Sequence, residues 1–161
     1  MIAEIMKKMI DFSEGNLHDI NHFMKVWGYA KTIGELEGLD DETQKILEVS
    51  AIVHDIACPS LRKKYGHCDG KFQEREGLPM ATEFLQGTGL TDEEIGRVAY
   101  LVGHHHTLTG IEGSDYQILI EADYLVNADE MNMPVENKKN MHDEVFRTAA
   151  GRALLRSMYG I

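Results

Sequence analysis

The chain has 161 residues, of which 43% are hydrophobic and 27% are charged, and its formal net charge is −11. This composition predicts a single folded domain with a substantial core, and it excludes a disordered chain. The acidic balance argues against a protein that coats a nucleic-acid polymer or lies on an anionic membrane, because both surfaces attract basic faces. A small phosphorylated ligand, including a nucleotide, needs only a local cluster of cations.

Cysteine use and the lengths of the apolar runs bear on the compartment. Cys58 and Cys68 have nine residues between them and form no CxxC pair, so they do not predict a disulfide framework. No signal-peptide pattern opens the chain, and no apolar run approaches the length of a membrane span. We therefore expect a cytoplasmic protein with no membrane contact. Nine methionines and a mainly helical surface permit a homo-oligomer without requiring one.

Apolar residues recur at helical spacing along most of the chain, and strand-like alternation is nearly absent, which predicts an all-α fold. Capping boxes are expected at Asp41–Gln44 and Thr91–Glu94. Cys58 and Pro59 are expected to stop the third helix, and 60–76 is expected to be a polar loop. The predicted helices cover 1–12, 17–36, 41 to about 57, 78–85, 91 to about 106, 117–127 and 141–158.

The second predicted helix carries the first candidate site residue. His22 flanks the apolar stripe, in register with Val26 and Tyr29. A single histidine in this position is typical of an ordinary helix residue as well as of a ligand, so His22 gains meaning only from its partners.

The third predicted helix ends in a histidine and an aspartate side by side. His54 lies seven residues after Leu47, which places its imidazole on the buried face. Because an uncompensated buried charge is costly, His54 and Asp55 are either a hydrogen-bonded core pair or two ligands of a metal. The three cations Arg62, Lys63 and Lys64 follow closely, either as a solvated basic loop or as a phosphate site.

Two later helices add inward polar residues. His105 and His106 lie three and four residues after Val102 and share its face, whereas His104 is rotated away from it. Asp123 shares an edge with apolar neighbours of its own helix. An acid in such a position is either a hydrogen-bonded core residue or a ligand.

The collected donor set favours a metal. Imidazole and carboxylate together suit a divalent transition ion such as manganese, iron, cobalt, nickel or zinc. Four such ligands leave coordination positions open for water and substrate, as a hydrolytic metal requires. Because no thiolate takes part, a structural zinc site is disfavoured.

The order of these residues resembles the His…His-Asp…Asp signature of the HD superfamily of metal-dependent phosphohydrolases. The local contexts also resemble the family, over about residues 18–130 of a single domain spanning 1–161. The resemblance implies a compact HD-domain helical bundle that hydrolyses a phosphate ester or anhydride of a small metabolite or nucleotide. The metal ligands that it implies are His22, His54, Asp55 and Asp123.

Further roles follow from the same resemblance. Asp55 would also orient the attacking water. Without a second metal, His105 or His106 would donate a hydrogen bond to the phosphate or act as a general acid. Phosphate charge would be neutralised by Lys25 together with the cluster at 62–64. The candidate substrate-binding residues are thus Lys25, Arg62, Lys63 and Lys64.

The number of metal ions is left open at one or two. Branches of the family that bind two metals carry a later histidine pair, which His105 and His106 fit. These branches also carry a histidine about four residues before Gly77, where this chain has Gln73. Glu74 or Glu76 could supply a carboxylate there instead.

Three other functions remain open from the sequence. The same ligand set with two irons would support an oxygenase that cleaves its substrate oxidatively. A ligand-sensing HD domain without catalysis, or a helical interaction domain with core histidines, would also fit.

Overall fold

A computed structural model describes residues 1–161 and contains nine α-helices and no β-strand. The prediction of an all-α fold is confirmed. The helices are α1 (Ile2–Phe12), α2 (Leu17–Leu36), α3 (Asp41–Val53), α4 (Cys58–Tyr65), α5 (Gly70–Phe84), α6 (Asp92–Val102), α7 (Ser114–Glu130), α8 (Val135–Glu144) and α9 (Ala149–Tyr159).

Three helices form the centre of the bundle. α2, α3 and α7 pack against one another, α6 packs on α3, and α5 packs on the outer side of α6. Their apolar stripes meet in one core of 32 buried residues, among them Val26, Leu47 and Ile118. Each large aliphatic side chain buried in this way stabilises the fold by about 1.5–3 kcal/mol. The packing brings the inward polar residues of α2, α3 and α7 to one place.

Side chains at the N-termini of α3 and α6 determine where these helices begin. The predicted capping box at α6 is present: the Thr91 hydroxyl accepts from the Glu94 amide, and the Thr91 amide donates to the Glu94 carboxylate. At α3 the cap is one residue earlier than predicted. There Asp40 accepts from the Thr43 amide at 2.8 Å.

The segment predicted to be a polar loop, 60–76, is mostly helical. α3 ends at Val53, earlier than predicted, so His54 caps this helix and Asp55 lies in the turn after it. Pro59 starts α4 rather than stopping α3, since a proline in the first turn has no backbone hydrogen bond to lose. Gly66 ends α4 with a left-handed φ of 74°. α5 begins eight residues before the predicted Leu78, so Pro79 lies inside this helix rather than in its first turn.

The C-terminal helix predicted over 141–158 is in fact two helices. Val145 ends α8, and Thr148 caps α9 by accepting from the Gly151 amide at 2.9 Å. Between them the ring of Phe146 is fully buried. Burial of this ring in the core turns the chain, a tertiary effect that helical periodicity alone does not reveal.

A disulfide joins Cys58 and Cys68, whose Cα atoms are 5.2 Å apart. The bond ties the start of α4 to the turn before α5, and the sequence interpretation did not predict it. Because disulfides persist mainly in oxidising compartments, this bond does not favour the cytoplasmic location, which stays a prediction. None of the nine helices is long and apolar enough to span a membrane.

Candidate metal centre

Four side chains converge where α2, α3 and α7 meet. His22 Nε2 lies 3.2 Å from His54 Nε2, from Asp55 Oδ2 and from Asp123 Oδ1. His54 Nε2 lies 3.4 Å from each of the same two carboxylate oxygens. Ligands about 2.1 Å from one ion are separated from their neighbours by roughly 3.0–3.4 Å. The spacing of these four atoms therefore suits a single divalent metal.

Hydrogen bonds on the far side of each ring orient the two imidazoles. The Nδ1–H of His54 donates to the Ala51 carbonyl at 2.7 Å, and that of His22 donates to the Glu130 carboxylate at 2.6 Å. In the neutral rings each Nε2 thus points a lone pair at the centre. Two nitrogen lone pairs and two carboxylate oxygens repel one another unless a cation lies among them, so the donor set fits a divalent ion.

Glu130 is a candidate functional residue that the sequence interpretation missed. It follows Asp123 by seven residues on α7, two helical turns, so both lie on one face. That spacing was the one sequence feature that could have indicated Glu130 as a site residue. Glu130 fixes the tautomer of His22 and makes the imidazole a better ligand, as carboxylates behind metal-bound histidines do.

Replacing Glu130 with glutamine should weaken metal binding by about 10- to 100-fold, because the neutral amide no longer strengthens His22 as a ligand. Isothermal titration of the metal-free protein measures this change. Glu136→Gln, an exposed position at the start of α8, is the matched control and should bind like the unaltered protein. Equal affinities in both variants would contradict the role given to Glu130.

Without a metal, the centre holds protons. Burial alone would lower the pKa of His22, but hydrogen bonds and charges from Asp123 and Asp55 outweigh it and raise the pKa to about 11. The same two carboxylates overcome burial at His54 and raise its pKa to about 10. Since both pKa values lie above neutral pH, His22 and His54 together hold at least one added proton at pH 7 when no metal is bound.

Metal binding should therefore release at least one proton, since a histidine ligand must be neutral. Between pH 6 and 8, below both raised pKa values, the association constant should increase at least about tenfold per pH unit. Calorimetry in two buffers with different ionisation enthalpies counts the protons released. An affinity that does not change with pH would show that the metal binds elsewhere.

A second group of possible ligands lies beside the first. Asp55, His105 and His106 place one donor atom each within 4.8 Å of the others. The Nδ1–H of His105 donates to the Val102 carbonyl, which leaves its buried Nε2 without a hydrogen-bond partner, 3.5 Å from Asp55 Oδ1. Such an unpartnered acceptor is costly unless a ligand or ion meets it. Asp55 is shared between the two groups.

Gln73 and Glu74 position His106 at the edge of this second group. The Gln73 amide oxygen lies 2.8 Å from His106 Nε2, and the amide nitrogen donates to the Cys68 carbonyl at 2.6 Å. Glu74 accepts from the His106 amide at 3.0 Å. Gly70 leaves room for the ring, because a Cβ there would lie 2.8 Å from His106 Cγ. Glu76 instead approaches Lys64, at 3.6 Å.

The predicted inward histidines differ in burial. His105 is fully buried, whereas His106 lies at the surface with its ring turned into the site. As predicted, His104 turns away from both: it stacks on Tyr100 at 4.0 Å and bonds the Tyr100 carbonyl.

A cavity of about 470 Å³ opens over three of the four central residues, His22, Asp55 and Asp123, and the fourth, His54, is buried beneath them. Arg62 is in its wall, but the other predicted phosphate-binding cations are not. Lys25 lines a separate cavity with Tyr29, and neither Lys63 nor Lys64 lines the wall over the metal centre. α4 is a helix rather than a loop, so its three cations cannot all face one way.

The model of the family described as HD domain matches residues 19–145. The crystal structure of a "predicted HD superfamily hydrolase" from an uncultured Thermotogales bacterium superposes with a TM-score of 0.72, covering 98% of this chain and 84% of the other. The two sequences are 20% identical, so this likeness shows the fold alone. No protein with a curated description matches the chain.

Proposed function

Because this chain belongs to the HD domain family, we propose that it is a metal-dependent phosphohydrolase. The reaction would cleave a phosphate ester or anhydride of a small metabolite or nucleotide. The observation that carries the proposal is the convergence of two oriented imidazoles and two carboxylates, 3.2–3.4 Å apart, at the floor of an open cavity. His22, His54, Asp55 and Asp123 would hold the ion.

A bound divalent ion would supply a water of lowered pKa and polarise a phosphoryl oxygen. Asp55 would both bind the ion and orient the attacking water, because one of its oxygens faces the imidazoles of His22 and His54 while the other faces His105. His105 Nε2 has a free lone pair, so in its neutral form it accepts a proton or a metal rather than donating. His105 acts as a general acid only after gaining that proton.

The mouth of the cavity would hold the rest of the substrate. The Arg62 guanidinium lies in the wall and would donate a remaining N–H to a phosphate oxygen. His106 lies opposite. Because its Nε2–H donates to the Gln73 oxygen, its Nδ1 would accept a hydrogen bond from a protonated phosphate oxygen. These are the two polar contacts we assign to the transferred phosphate besides the ion.

A reloading experiment tests the proposal. Chelator-treated protein is reloaded separately with manganese, iron, cobalt, nickel and zinc. Its metal content is determined, and phosphate release is measured from a panel of phosphomonoesters, nucleotides and pyrophosphate. We expect release that requires one of the metals. Bound metal with no phosphate release from any compound would overturn the proposal and favour a ligand-sensing domain.

One observation favours a second candidate function. The neighbouring group of Asp55, His105 and His106 could hold a second ion, and two irons are what an oxygenase of this type would need. Two bound irons, with oxygen consumption and no phosphate release, would identify that activity.

A further inference from the structure

The wall of the central cavity is acidic. It contains one arginine, no lysine, and five carboxylates, besides neutral polar groups such as Asn127. The carboxylates belong to Asp19, Asp55, Asp69, Asp123 and Glu130.

The one arginine is already neutralised. Arg62 Nη1 and Nη2 donate to the two carboxylate oxygens of Asp19 at 2.7 and 3.0 Å, a bidentate pair that uses the matching geometry of both groups. Asp19 thus holds the guanidinium at the cavity wall and cancels its charge. Arg62 can still offer a remaining N–H to one phosphate group, but it adds no net positive charge.

With a single divalent ion bound, and none at the second group of possible ligands, the ion would balance Asp55 and Asp123 and no more. Glu130 and Asp69 would remain negative, so the loaded cavity would carry a net charge of about −2. A single phosphate can sit against the ion. Each additional phosphate would enter an acidic wall, where unit charges several ångströms apart repel strongly enough to weaken binding by about tenfold.

We infer that the substrate is a phosphomonoester that carries one phosphate on an uncharged or cationic body, not a di- or triphosphate. The inference rests on the proposed function and narrows it. Asn127 and His18, which also line the wall, offer hydrogen bonds to a hydroxyl-rich or amide-bearing body.

Binding of inorganic anions to the metal-loaded protein tests the inference apart from turnover. Orthophosphate, pyrophosphate and tripolyphosphate are titrated by calorimetry, and metal content is checked after each titration to exclude stripping. We expect affinity to fall by about tenfold for each added phosphate group. Tripolyphosphate binding as tightly as orthophosphate, or more tightly, would overturn the inference even if the protein hydrolyses phosphate esters.

Two variants test whether the charge of the cavity wall causes the preference for a single phosphate group. Asp19→Asn leaves the Arg62 charge unbalanced and should improve tripolyphosphate affinity by about tenfold relative to orthophosphate. Asp41→Asn makes the same charge change at an exposed position in the first turn of α3 and should leave the ratio unchanged. An equal response in both variants would show that net charge, not the cavity wall, sets the preference. Absence of phosphate release from every ester would refute the proposed function. The relative affinities for orthophosphate, pyrophosphate and tripolyphosphate would still test the preference for a single phosphate group.

Discussion

Replacing Asp55 with asparagine should lower metal affinity by more than about 100-fold. This loss is larger than the one expected for a residue that only hydrogen-bonds to a metal ligand. Asp55 faces His22, His54 and His105 within 3.2–3.5 Å, so its charge serves both groups of candidate ligands. Asparagine keeps the size but removes the negative charge that balances the ion. Metal content per chain and metal-dependent phosphate release should both fall.

Asp129→Asn is the matched control, an exposed aspartate near the end of α7. It should bind metal and act like the unaltered protein. Circular dichroism of both variants separates loss of the site from loss of the fold. Full metal content in folded Asp55→Asn protein would exclude Asp55 as a ligand and move the search to other groups.

Replacing Glu121 with alanine should destabilise the fold by about 3–5 kcal/mol, the largest stability effect that we expect from one substitution. Glu121 is fully buried and accepts hydrogen bonds from the Arg147 amide, the Thr148 amide and hydroxyl, and the Gln117 side chain. Alanine would leave those donors unpaired at the start of α9. Urea unfolding should show the loss directly.

The matched control for this substitution is Glu83→Ala, which removes an exposed carboxylate from α5 and should change stability by less than about 0.5 kcal/mol. Glu121 lies two residues before Asp123 but bonds away from the metal centre, towards α9. Folded Glu121→Ala protein should therefore keep its metal. A stability loss below about 1 kcal/mol would show that α9 docks without this carboxylate.

The contacts of Gln73 and Glu130 are parts of the site that could not be predicted from the sequence. Gln73 stands out in the sequence only against the family pattern, and its contacts with Cys68 and His106 come from the approach of α5 to the end of α6. Glu130 had a usable helical spacing but gave no sign that His22, 108 residues earlier, was its partner. Helical phase tells which face a residue occupies, not which distant side chain meets that face.

The sequence by itself determined the all-α class and the inward phase of His54, His105 and Asp123, because both depend on local periodicity. It also contained the ordered His and Asp residues that resemble the family signature. Only the tertiary structure decided that Lys25, Lys63 and Lys64 lie away from the central cavity and that Asp19 neutralises Arg62. The reason is physical: the charge of a cavity is the sum over side chains from several helices, and packing alone selects which of them face it.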